Sequence, residues 1–224
     1  MSLKPVKKSD QEKDWLKKRS DKKIKICPEY HLIVTEGTKT EPNYFEAIKL
    51  RINEKYKNRI SLEIRGDGNN TVGLFEDAKR IVESNQRQFS FRHVWIVYDT
   101  DDFPKDKIDS VPELCKKNST SDCRYHAIWS NQCIELWFLL HFGYYHSDLH
   151  RNDYFPKLDR WLKSISSGKY EKNRTDMFSV LEPYMNDAIK NATHLQQQNR
   201  NQLPSNSKPG TKVYELIEML KPYF

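Results

Sequence analysis

The run His93-Val94-Trp95-Ile96-Val97-Tyr98 carries apolar side chains at odd and even positions alike. Successive side chains of a strand point to opposite faces, so a run that is apolar on both must be covered on both. That is the condition of a strand in the middle of a parallel sheet with helices above and below it. A chain containing such a segment has to supply those helices and flanking strands from the rest of its sequence.

It does so by alternation. Tyr30 and the residues to Thr35 form a short β-branched run; Gly37 permits a tight turn, and Pro42 suits the first turn of a helix over 42–56. Residues 60–65 alternate strictly and predict a half-buried strand. Residues 66–70 are loop-like, and Thr71 can cap a helix running to about 88. After the central strand come a helix to about 117, a strand over 124–129, and an apolar helix over 134–142 that suits a place deep against the sheet. Strand and helix in turn predict an α/β fold of three layers: a mainly parallel sheet with helices on both faces. Beyond 143 the pattern turns to helices without strands, over 154–165, 176–198 with Pro183 interrupting the stripe, and a last one ending near 220. The expected organisation is a basic arm over 1–26, an α/β domain over 27–143, and a helical extension over 144–224 packed on the same domain.

The chain has 224 residues and a formal net charge of +7. The excess is local: residues 1–25 hold ten of the 38 Lys and Arg against four of the 31 Asp and Glu, leaving the remainder almost neutral. Such an arm can neutralise phosphates, or serve only as a solvated tail. No window approaches the roughly 18 apolar residues of a membrane span. Met1 is followed by no apolar signal region, and Cys27, Cys115, Cys123 and Cys133 show no metal-site spacing, so reduced thiols in a cytoplasmic protein are expected.

The chemistry converges on strand ends. Glu36 follows the strand at 30–35, and Asp99-Thr100-Asp101-Asp102 follows the central strand. In open α/β sheets ligands bind at the carboxyl edge of the strands, so both acid groups are delivered to the functional side. Carboxylates gathered within a few ångströms raise one another's pKa and destabilise the fold unless a cation neutralises them. Mg²⁺ takes oxygen ligands, keeps exchangeable waters, and can orient a phosphodiester and stabilise charge on its attacking and leaving oxygens. Glu36 could then serve as general acid or base; its competing role is to cap the helix that follows.

Three blocks carry a resemblance: Ile33-Val34-Thr35-Glu36-Gly37-Thr38-Lys39-Thr40-Glu41-Pro42-Asn43-Tyr44-Phe45, Val94-Trp95-Ile96-Val97-Tyr98-Asp99-Thr100-Asp101-Asp102, and Ser130-Asn131-Gln132-Cys133-Ile134-Glu135-Leu136-Trp137-Phe138-Leu139-Leu140-His141-Phe142. The chain resembles the RloB-like (AbiLii-type) family, whose domain is similar to Toprim, the metal-binding fold of topoisomerases, primases and several nucleases. The family's Asn-Pro-Cys reads Asn131-Gln132-Cys133 here, and Ile134 stands where a Phe precedes the Glu. The resemblance implies a three-layer Toprim-like (Rossmannoid) fold and a Mg²⁺- or Mn²⁺-dependent nuclease, the effector of an anti-phage system encoded beside an ATPase. The implied partners are DNA or RNA, that ATPase, and a second copy of the chain.

By position, Glu36 matches the Toprim glutamate and Asp99 and Asp101 its metal ligands, and these three are the catalytic set. Asp102 is an additional acid, and Glu135 and Glu41 are candidates for a second metal, with helix capping the competing role for Glu41. Lys39, Ser130, Asn131 and Lys208 are the expected phosphate contacts, and Lys172 and Arg174 lie in later loops able to close over the site. His141, His146 and His150 show no ligand spacing and read as structural or surface residues. Two other readings use the same residues. One is a non-catalytic subunit that binds nucleic acid or the ATPase. The other is a phosphatase similar to the haloacid dehalogenases with Asp99 as nucleophile, which leaves Glu36 without a role.

Overall fold

The computed structural model describes residues 28–64, 71–100 and 104–224. The basic arm, the 66–70 loop, Asp101 and Asp102 therefore lie outside the described residues. The chain folds as a Rossmann-like α/β protein of three layers. Its order is β1 (His31–Thr35), α1 (Thr40–Tyr56), β2 (Ile60–Ile64), α2 (Thr71–Asn85), β3 (His93–Asp99), α3 (Lys105–Asn118), β4 (Arg124–Asn131) and α4 (Glu135–Leu140). There follow α5 (Arg151–Ser164), α6 (Met177–Leu181), α7 (Met185–Gln198), β5 (Gly210–Thr211) and α8 (Val213–Leu220).

The sheet runs β2-β1-β3-β4-β5, with β1 to β4 parallel. β3 is its middle strand and is buried along six of its seven residues, as an apolar run on both faces requires. Alternate residues feed two cores. Leu32, Val34, Val94, Ile96 and Tyr98 pack with α2 and α3. Ile33, Trp95, Val97 and Ile128 pack with α1, α4 and the later helices. Every residue of α4 is buried, and Trp137 Nε1 donates to Tyr44 Oη at 3.0 Å, fixing α4 against α1.

The later helices share this second core. In α5 the buried residues Tyr154, Leu158 and Leu162 recur every four positions, and α7 supplies Ala188, Ala192 and Leu195. Each fully buried Leu or Phe contributes about 1.5–3 kcal/mol, so the extension is held by the same force as the domain. Pro183 lacks an amide hydrogen and sits in a 3-10 turn, Glu182–Tyr184, that divides α6 from α7.

One expectation is overturned: the region beyond 143 does contain a strand. β5 pairs antiparallel with the end of β4, Ser130 opposite Thr211 and Asn131 opposite Gly210. Two residues are too short to carry an alternation, which is why periodicity misses them. Gly210 is required there: a Cβ would lie 2.9 Å from the Ser207 carbonyl oxygen and 3.0 Å from the Trp129 ring. No disulfide links the described cysteines Cys115, Cys123 and Cys133. Among the described residues no helix is long and apolar enough to cross a membrane.

Candidate functional site

From β1 the chain goes outward to β2, then returns to the other side of β1 as β3. The connections leaving β1 and β3 therefore diverge, and a crevice opens between their carboxyl ends. Thr35 is in register with Val97, and the Glu36 amide donates to the Val97 carbonyl at 3.1 Å, extending the pairing one residue past the strand. On the other side Asp99 pairs with Ser130, and the Thr100 amide donates to the carbonyls of Ser130 and Gln132 at 3.0 and 3.1 Å. Glu36 and Asp99 thus leave adjacent strands at the same edge, as their places in the sequence predict. Glu36 is half-buried, and its Oε2 atom is fully shielded.

Gly37 and Thr38 turn the chain into α1, whose first turn carries Glu41. The Glu41 carboxylate, 5% exposed, is packed directly on Gly37. A Cβ built at Gly37 would fall within 2.5 Å of both carboxylate oxygens, so the glycine is what gives Glu41 its place. Glu135, 2% exposed, opens α4 and accepts a 2.6 Å hydrogen bond from the Tyr170 hydroxyl. Burial, then the neighbouring Glu135 charge, holds the Tyr170 phenol far above its ordinary pKa, so it keeps the proton it donates.

Glu41, Asp99 and Glu135 line one cleft of about 260 Å³, together with Thr38, Lys39 and Lys172. Three acidic residues and two lysines thus line one space at the switch point of the sheet. Lys172 belongs to the loop between α5 and α6. That loop is strapped to α1: the Thr40 hydroxyl donates to the Lys172 carbonyl at 3.2 Å and the Asn43 amide group to the Asn173 carbonyl at 3.0 Å.

Other expected site residues are placed elsewhere. Ser130 Oγ lies 2.8 Å from Thr211 Oγ1, and Asn131 Nδ2 donates to the Pro204 carbonyl at 3.0 Å; both are buried and tie β4 to the extension. The Asn131–Gln132 peptide bond is cis. Lys208 is exposed and does not line the cleft. Arg174 holds its own loop together, bonding the Ser167 and Lys169 carbonyls at 2.8 Å and pairing with Asp176. His141 is buried with Nδ1 2.9 Å from the Trp137 carbonyl oxygen, and burial pushes its pKa down to about 4. His146 stacks on Tyr144, and His150 caps α5.

Tyr170 is the contact that sequence reasoning misses. It lies 35 positions from Glu135, in a loop with no periodic signal, and only the fold brings the two together. Among the described residues no group of three or more His, Cys, Asp and Glu side chains is arranged to hold a metal ion. The donor set is nonetheless all carboxylate, the chemistry a hard divalent ion takes.

No curated protein and no solved structure matches the chain. A family model described as RloB-like protein matches residues 31–220, from the first residue of β1 to the last of α8. The chain belongs to the RloB-like family.

Proposed function

We propose that this protein is a Mg²⁺-dependent nuclease of Toprim type that cleaves nucleic-acid phosphodiester bonds. The observation that supports it is the cleft itself, where Glu41, Asp99 and Glu135 face the same space as Lys39 and Lys172. Glu36 stands one strand away at the same edge. Carboxylates that share a cleft favour a divalent cation, while the lysines beside them favour an anion.

Asp99 with Asp101, assisted by Asp102, would hold a first ion, and Glu135 a second. Bound there, Mg²⁺ supplies charge stabilisation to the oxygens of a phosphodiester. The protein's own contribution is positional. Tyr170 fixes the Glu135 carboxylate through one oxygen and Gly37 lets the Glu41 carboxylate sit against the turn; in this reading Glu36 takes or returns a proton. The family resemblance extends the reading to a cytoplasmic effector of anti-phage defence working with an ATPase.

A specific observation favours a second reading, a non-catalytic subunit that binds nucleic acid or the ATPase. Glu41 and Glu135 are both buried with packing or hydrogen-bond roles of their own, and the described side chains form no ligand triad. One experiment separates the two: a panel of DNA and RNA substrates incubated with the full chain, with and without the ATPase, in Mg²⁺ or Mn²⁺. The nuclease reading expects cleavage that falls at least about a hundredfold in Glu36→Ala and Asp99→Ala while both variants stay folded. No turnover on any substrate in the assembled complex, or equal turnover by the variants, overturns it.

A further inference from the structure

The loop between α5 and α6 is built to hold one side chain at the cleft. Arg174 ties it internally through Ser167, Lys169 and Asp176, and Thr40 and Asn43 anchor it to α1 through the carbonyls of Lys172 and Asn173. These bonds use the backbone of Lys172 and leave its ammonium group without a carboxylate partner among the described residues. That group lies 5.2 Å from the centre of the Phe155 ring, and Phe155 stacks on Tyr170 at 5.8 Å. A cation over an aromatic face is held in place without losing its charge.

Lys39 approaches the same cleft from the other side, in the turn that precedes α1. Among the described residues neither Lys39 nor Lys172 forms an ion pair with a carboxylate, although both share the space with Glu41, Asp99 and Glu135. A cleft lined by carboxylates together with two lysines that no described carboxylate pairs is complementary to a ligand of mixed charge, an oxyanion with a cation beside it. An ammonium on a flexible stem meets phosphate as a point charge.

We propose that Lys39 and Lys172 form an anion subsite that takes a phosphate of the nucleic-acid backbone next to the acidic group. The subsite rests on the nuclease reading for the owner of the phosphate, and it makes the α5–α6 loop part of the site rather than a cover. Lys172 is the decisive member, because it comes from the extension.

The test is binding of a fluorescent single-stranded oligonucleotide to the full chain by anisotropy, with Ca²⁺ replacing Mg²⁺, over a range of salt concentrations. Lys172→Ala weakens binding about tenfold, and the slope of log affinity against log salt becomes shallower by about one. Lys172→Arg restores most of the affinity. Lys163→Ala, which removes an exposed lysine paired with Asp159 on α5, leaves both quantities unchanged. Unaltered affinity and slope in Lys172→Ala overturn the subsite, as does failure of the wild type to bind. Its fate is separable from that of the nuclease: Lys172-dependent binding without cleavage in any metal keeps the subsite and removes the enzyme. Normal binding by Lys172→Ala, beside cleavage that Asp99→Ala abolishes, does the reverse.

Discussion

The two ends of β1, β3 and β4 treat polar side chains in opposite ways. At the amino end His31, His93 and His126 form a stacked ladder with Trp95, with neighbouring ring centroids 4.1–6.1 Å apart. Each bonds within the group: Trp95 Nε1 donates to His31 Nδ1 at 3.0 Å, His93 Nδ1 lies 3.0 Å from His126 Nε2, and His93 Nε2 lies 3.1 Å from Glu29. At the carboxyl end Glu36 and Asp99 leave the same strands beside a cleft that gathers further carboxylates. The first arrangement satisfies its members and adds to stability; the second brings acidic residues and two lysines to one cleft, the place where the proposed cation would bind. The histidine ladder and the candidate site therefore lie about one strand length apart on the same sheet.

Acid breaks the comparison most strongly. Burial, then the neighbouring histidines, lowers the His31 pKa to about 3; burial and His93 bring His126 down to about 4; and burial, opposed by Glu29, lowers His93. Arg92, Arg124 and Lys212 face the ladder and press in the same direction. Below pH 6.5 the unfolded chain binds protons that the folded ladder refuses, so stability falls as pH drops from 6.5 toward the folded values. His31 alone should cost about 2 kcal/mol between pH 6.5 and 5, read from denaturant midpoints over that range. His141 contributes over the same window. His31→Gln, which keeps an acceptor for Trp95, should flatten the curve without touching the cleft.

A smaller change sharpens the other end. Gly37→Ala drives a methyl group into the Glu41 carboxylate and displaces it. The turn does not require a glycine backbone conformation, so stability should stay within about 1 kcal/mol of wild type. Affinity for Mn²⁺ should fall about tenfold, by calorimetry, because a group that shapes the ligand set has moved. The signature is loss of ligand without loss of fold, the inverse of the histidine variant.

How much of this could be read in the sequence follows from the range of each interaction. β3 is legible because five adjacent apolar residues, Val94 to Tyr98, admit few alternatives, and the carboxyl-edge placement of Glu36 and Asp99 follows from parallel pairing. β5 is too short to leave a pattern. The partners of Ser130 and Asn131, Thr211 and the Pro204 carbonyl, lie 81 and 73 positions away, and Tyr170 reaches Glu135 over 35. Those contacts depend on where the extension docks, which local periodicity does not encode. The histidine ladder escapes for a related reason: each histidine reads singly as a strand residue, and only the register aligns them.

The central claim, that the acids at the carboxyl end are held for a cation, is tested most directly by thermal unfolding of wild type and Asp99→Asn with and without Mn²⁺. Mn²⁺ at a hundred times its dissociation constant should stabilise the wild type by about 2.7 kcal/mol and the variant far less. Equal stabilisation of both proteins by Mn²⁺, or none of the wild type, would contradict the account.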